Sequence, residues 1–112
     1  MIYHGSCHCG RVAFALEGAV SAAVSCNCSL CARKGALLSA VPTERFTLLT
    51  APEASAAYTF NSRAIVHRFC RTCGMQPYSE HAGEDAIYIN LNCVEEIDRA
   101  SIEIIAFDGR AA

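Results

Sequence analysis

Cysteine spacing constrains this chain more than any other feature. Eight of its 112 residues are cysteine, placed as Cys7-x-Cys9, Cys26-x-Cys28-x2-Cys31, Cys70-x2-Cys73 and a solitary Cys93. In an exported mini-protein such density builds a disulfide framework, whereas in a reducing compartment it points to metal ligation. Met1-Ile2-Tyr3-His4 lacks the basic start and apolar run of an export signal, so the expectation is a cytoplasmic, metal-binding protein. Thiolates about 2.3 Å from a tetrahedral zinc must converge from short, bent segments. Each cluster has residues suited to such bends: Gly5 and Gly10 flank the first, Asn27 and Ser29 interleave the second, and Gly74 follows the third. Glycine at these turns permits a left-handed backbone whose amides point at sulfur.

Seven clustered cysteines do not divide into two four-ligand sites. The natural split pairs the doublets, so that Cys7, Cys9, Cys70 and Cys73 close one tetrahedron while Cys26, Cys28 and Cys31 form a three-thiolate site with a vacancy. A full shell marks a structural zinc and an open position marks a catalytic one. Ligation that joins residue 7 to residue 73 also couples metal affinity to folding. Arg33, Lys34, Arg68 and Arg71 lie beside the second and third clusters, either offsetting thiolate charge or serving as ordinary surface cations.

The rest of the composition sets the frame. An apolar fraction of 53% against 18% charged residues fits one domain over residues 1–112 that buries a core, and the absence of Trp leaves aliphatic side chains to fill it. The net charge of -2, with Lys34 the sole lysine, provides no phosphate-tracking surface and excludes a nucleic-acid partner. The apolar stretches from Gly35 to Val41 and from Ile87 to Leu91 are too short to span a bilayer.

Periodicity predicts strands over Arg11 to Glu17, Ala56 to Phe60, Ile65 to Phe69, Ala86 to Leu91 and Ser101 to Phe107. Helix is expected only as short turns over Ser29 to Lys34 and Val94 to Arg99, with Ala51 to Ala57 reading as a loop. The fold class is therefore mainly β, a zinc-stabilised sheet fold with little helix.

The segments G-S-C-H-C-G-R-V at 5–12, C-N-C-S-L-C at 26–31 and F-C-R-T-C-G at 69–74, joined by I-N-L-N-C-V at 89–94, resemble the glutathione-dependent formaldehyde-activating family over residues 3–107. The resemblance implies an Mss4-like β fold with two zinc ions. It places the structural ligands on Cys7, Cys9, Cys70 and Cys73 and the catalytic ones on Cys26, Cys28 and Cys31. It also implies a carbon-sulfur lyase activity that condenses formaldehyde, or a related small aldehyde, with glutathione or a related thiol. Three thiolates weaken a zinc as a Lewis acid, which favours activation of a substrate thiol. Arg33 and Lys34 are candidates for holding a substrate carboxylate.

The other polar residues carry weaker expectations. His8, between two ligands, is assigned a structural or solvent role, and His67 is read as a packed histidine. Asn27 orients a turn. His81, in a Ser-Glu-His-Ala-Gly loop, is the best placed for acid-base work. Cys93 reads first as a small buried hydrophobe. Two other functions stay open: a non-catalytic zinc-stabilised binding module, and a thiol oxidoreductase using Cys93 as nucleophile.

Overall fold

The computed structural model describes residues 1–59 and 64–108. Its first feature follows from alternation: strands β1 (Ile2–Ser6) and β2 (Ala13–Glu17) pair antiparallel, and every second residue of β2 turns inward, leaving Phe14 and Leu16 with no exposed surface. The chain then runs through β3 (Ala22–Cys26), helix α1 (Ser29–Lys34), β4 (Leu37–Pro42), β5 (Phe46–Leu48), β6 (Ser55–Tyr58), β7 (Ile65–Cys70), β8 (Tyr78–His81), β9 (Ala86–Asn90) and β10 (Glu103–Phe107).

Among the described residues these strands form two sheets. The smaller has the order β1-β2-β5, and the larger has the order β10-β3-β4-β9-β8-β7-β6. Strand β10 runs parallel to β3, whereas the other pairs are antiparallel. The fold is mainly β, as the sequence predicts.

Aromatic packing joins the sheets. Phe14 of β2 stacks on Phe46 of β5 at a centroid distance of 5.5 Å, and Phe46 meets Tyr78 of β8 at 4.8 Å. Val12, Leu16, Ile89 and Val94 fill the core around them. Full burial of each such side chain stabilises the fold by about 1.5–3 kcal/mol.

Several predicted boundaries move for local reasons. The strand expected from Arg11 starts at Ala13, because Val12 closes the first cysteine turn through Cys7 N–H to Val12 O at 2.9 Å. The strand expected over Ala56 to Phe60 begins at Ser55, which pairs with Cys70, and its Phe60 end lies outside the described residues. The loop expected over Ala51 to Ala57 is thus a single 3-10 turn, Pro52–Ala54, followed directly by β6. No helix forms over Val94 to Arg99. Instead 3-10 turns at Leu91–Cys93 and Arg99–Ser101 flank an irregular segment, capped by the side chains of Asn90 and Asp98. That second turn delays the strand expected from Ser101 to Glu103.

Candidate metal centres and the adjoining cavity

The turns between strands bring the clustered cysteines together in two groups. Cys7 and Cys9 follow β1, and Cys70 and Cys73 close β7, so the first group is built from both sheets. All sulfurs within each group lie within 4.8 Å of one another. The Sγ distances are 3.7 Å between Cys7 and Cys9 and 3.6 Å between Cys9 and Cys70. A tetrahedron with thiolates about 2.3 Å from zinc has edges of about 3.8 Å, close to these two distances, so this donor set suits the ion.

Backbone amides prepare these sulfurs for negative charge. Val12 N–H donates to Cys7 Sγ at 3.3 Å, and Thr72 and Cys73 N–H donate to Cys70 Sγ at 3.3 and 3.5 Å. Gly10 (φ 83°) and Gly74 (φ 81°) adopt the left-handed backbone that bends each turn, as their positions in the sequence suggested. Hydrogen bonds from the Met75 and Cys9 amides lower the Cys73 thiol to about 6. Burial raises buried Cys7 to about 11, which a cation at bonding distance would reverse.

The second group stands at the start of α1. Cys26 ends β3, Cys28 is the helix N-cap, and Cys31 lies buried in the first turn. Cys28 N–H donates to Cys26 Sγ and Cys31 N–H to Cys28 Sγ, both at 3.4 Å. Burial, followed by the Cys28 sulfur, pushes Cys31 up to about 12. Burial also acts to raise Cys28, but the amide of Cys31 and further hydrogen bonds outweigh it and lower the thiol. Among the described residues no fourth His, Cys, Asp or Glu completes this group. Cys93 belongs to neither group. It is partly buried, and burial, reinforced by the sulfurs of Cys7 and Cys73, raises its thiol to about 11.

The flanking cations separate into different roles. Arg33 Nη1 donates to Ser29 O at 2.8 Å within its own helix. Arg68 pairs with Glu80 at 3.3 Å, and Arg71 Nε donates to Glu53 O at 3.0 Å. Lys34 alone of the four turns its charge toward the three-cysteine group: burial lowers its pKa, while Cys31, Cys28 and Cys26 act to raise it.

Lys34 also lines a cavity of 510 Å³ between α1 and the Cys73–Gln76 segment, together with Leu30, Tyr58, His67, Phe69 and Asn90. Lys34 Nζ donates to Gln76 Oε1 at 2.5 Å. Gln76 Nε2 donates to Ser79 Oγ at 2.7 Å and lies 3.1 Å from His67 Nδ1. The packed position expected for His67 is observed, at 7% exposure, and burial followed by the Lys34 charge lowers its pKa to about 4. The sequence reading missed Gln76, Tyr58 and Phe69. The available signal was Gln76 at three residues beyond Cys73, but no spacing rule reports which side chains share a cavity.

The structure places His81 on a strand. It ends strand β8 rather than sitting in an overhanging loop, and it pairs with Ile65 at the end of β7 opposite Cys70. Five strand steps place it about 16 Å from the cysteine end of that strand. Its Nδ1 lies 2.9 Å from Ala82 O, and its Nε2 lies 3.8 Å from Glu84. His8 is exposed, in keeping with a solvent role. Asn27 does orient its turn: its N–H donates to Phe107 O at 3.2 Å and its side chain to Asp108 at 3.0 Å. No helix among the described residues is long and apolar enough to cross a membrane.

Comparison with known proteins relates the chain to a family and to a solved structure. The family described as glutathione-dependent formaldehyde-activating enzyme matches residues 2–107. A crystal structure of a Rhodobacter sphaeroides protein is similar with a TM-score of 0.79 and 26% sequence identity, covering 92% of this chain and 97% of that one.

Proposed function

The chain belongs to the glutathione-dependent formaldehyde-activating family, and from that premise we propose a zinc-dependent carbon-sulfur lyase acting in the cytoplasm as a single domain over residues 1–112. Its reaction condenses formaldehyde, or a related small aldehyde, with glutathione or a related thiol. The observation that carries the reading is the unequal partition of cysteines, four in a closed group and three in an open one.

In this reading Cys7, Cys9, Cys70 and Cys73 hold a structural zinc, and Cys26, Cys28 and Cys31 hold a catalytic one. When bound at the open group, zinc supplies a position for a substrate sulfur and lowers the pKa of that thiol. The three cysteines fix where the sulfur stands, because the N-cap geometry of Cys28 and the burial of Cys31 hold them in place before substrate arrives. Holding thiol and aldehyde together at this group removes much of the bimolecular penalty. One carbon-sulfur bond forms, the carbonyl π pair moves to oxygen, and that oxygen takes a proton equivalent to the one the thiol gives up.

The test is metal content followed by exchange kinetics. Anaerobically purified protein is expected to hold about two zinc ions per chain, with one removed by Cys28→Ser. Exchange spectroscopy by NMR on formaldehyde and glutathione should show interconversion with the hemithioacetal faster than the uncatalysed background in the wild type only. Full zinc content with exchange at the background rate would overturn the lyase and leave a binding module.

A further inference from the structure

Strand β10 ends the larger sheet, with β3 on one side and no described strand on the other. Its five residues, Glu-Ile-Ile-Ala-Phe, are all exposed, and Ile104, Ile105 and Phe107 keep 50%, 46% and 50% of their surface open. Natural sheet edges are guarded by short length, charge, proline or a bulge. The other described edges are guarded or slight: His4 N–H of β1 donates to the Glu96 carboxylate, β5 has three residues, and β6 has four, three of them Ser or Ala. Strand β10 instead runs in unbroken register along β3, and its one charge, Glu103, stands at its first position.

The outward backbone groups define what pairs with it. Glu103 N–H donates to Ser21 O and Phe107 O accepts from Asn27 N–H, so residues 103, 105 and 107 bond to β3 while the amides and carbonyls of Ile104 and Ala106 face out. A second copy of the strand satisfies them when it lies antiparallel with Ile105 on the two-fold axis. Ile104 then meets Ala106 of the second copy, and each such pair exchanges both of its N–H···O bonds. Moving the axis to Ile104 or Ala106 loses one of these pairs within the strand. The central register also sets Glu103 across from Phe107, so like charges do not oppose one another, and Ile105 faces its own copy in the closer, non-hydrogen-bonded position.

We propose that β10 is a self-association edge through which two copies of this chain pair antiparallel about Ile105, joining their larger sheets into one. Three half-exposed apolar side chains from each copy supply about 600 Å² of apolar surface, taking roughly 200 Å² for a whole side chain. Even with the backbone that a strand pair covers, this stays below the ~1,200 Å² at which standard stable interfaces begin. The dimer is therefore weak and reversible, with a dissociation constant on the order of 10 μM. Both cysteine groups stay as they are, because β10 keeps its bonds to β3.

The experiment is sedimentation velocity of the zinc-loaded protein from about 1 μM to about 500 μM. The mass should rise from 12.0 kDa towards twice that value. Ala106→Pro removes an outward amide, and Ile105→Lys sets two ammonium groups across the axis. Each should weaken the dimer at least about tenfold with zinc content and melting temperature near wild type, which also identify a variant that fails to fold. Ile105→Glu should do the same, and an equal mixture of the Lys and Glu variants should recover a heterodimer, because the two-fold axis brings these side chains together. A mixture that stays monomeric, or a dimer that persists in both Ala106→Pro and Ile105→Lys, overturns the proposal. So does wild-type protein that remains monomeric throughout. Hydrogen exchange at Ile104 and Ala106 then identifies what takes the place of the second copy: slow exchange at every concentration means cover by the same chain, and fast exchange means an edge left open to a different partner.

Discussion

Cys26 lies directly opposite Phe107 across the parallel pair of β3 and β10, and the next amide, Asn27 N–H, donates to Phe107 O. The last strand therefore braces the first sulfur of the three-cysteine group. Glu103 N–H donates to Ser21 O, so the alternation of a parallel ladder turns the Ile105 amide toward β3 and the Ala106 amide toward the open edge. Ile105→Pro should lower the metal content from about two ions to about one, whereas Ala106→Pro should leave it near two. Elemental analysis of both variants decides the matter, and equal loss in the two would show that β10 does not brace this group.

The two cysteine groups should fail in different ways. Cys70→Ser removes a buried donor that ties the two sheets together, so the melting temperature should fall by more than about 10 °C. Cys28→Ser should change the melting temperature by only a few degrees while cutting exchange activity by at least about a hundredfold. Calorimetric melting and NMR exchange on the same preparations give both readings, and a reversed pattern would exchange the roles of the groups.

Cys93 distinguishes the lyase from an oxidoreductase. Its thiol is raised to about 11, chiefly by burial, and is a poor nucleophile at neutral pH. Cys93→Ser should leave aldehyde-thiol exchange within about twofold of wild type, at a stability cost of about 1 kcal/mol for the hydroxyl in a partly apolar site. Abolished activity with unchanged zinc would instead identify Cys93 as the nucleophile.

His67 sets an acid limit on stability. Its folded-state value near 4, lowered first by burial and then by Lys34, lies below the ordinary 6.5. Between those values the unfolded chain binds more protons than the folded one, so the contribution is full above pH 6.5 and is lost as pH falls toward 4. Between pH 7 and 5 the loss should be about 2 kcal/mol. His67→Gln lacks this titration, so urea unfolding of the two proteins at both pH values isolates it from acid effects on the cysteines. An identical pH dependence in both would show that His67 titrates normally.

The sequence exposed the sites more clearly than the sheet that carries them. Counting the clustered cysteines was enough to anticipate the partition in which Cys7 and Cys9 meet Cys70 and Cys73, because short spacings on turns leave few geometries open. Strands β7 and β9 were legible from their β-branched and aromatic residues. Strand β3, Ala-Ala-Val-Ser-Cys, was not, since alanine and serine have little strand preference and its pairing with β4 and β10 is decided by tertiary contacts. Strand β1 has β-compatible residues but carries Gly5, and the Ser79–His81 part of β8 was read as belonging to a Ser-Glu-His-Ala-Gly loop. The contact of Lys34 with Gln76 spans 42 positions, and no local pattern encodes it.

The first metal group draws two sulfurs from the turn after β1 and two from the end of β7, so its ion would serve as a rivet through the seam between the sheets. A rivet has no half-withdrawn position. Gradual chelation should therefore produce a mixture of intact and opened molecules in changing proportion, not a population that softens uniformly. The lifetime of the protein in a zinc-poor environment would then be set by how often that one seam opens.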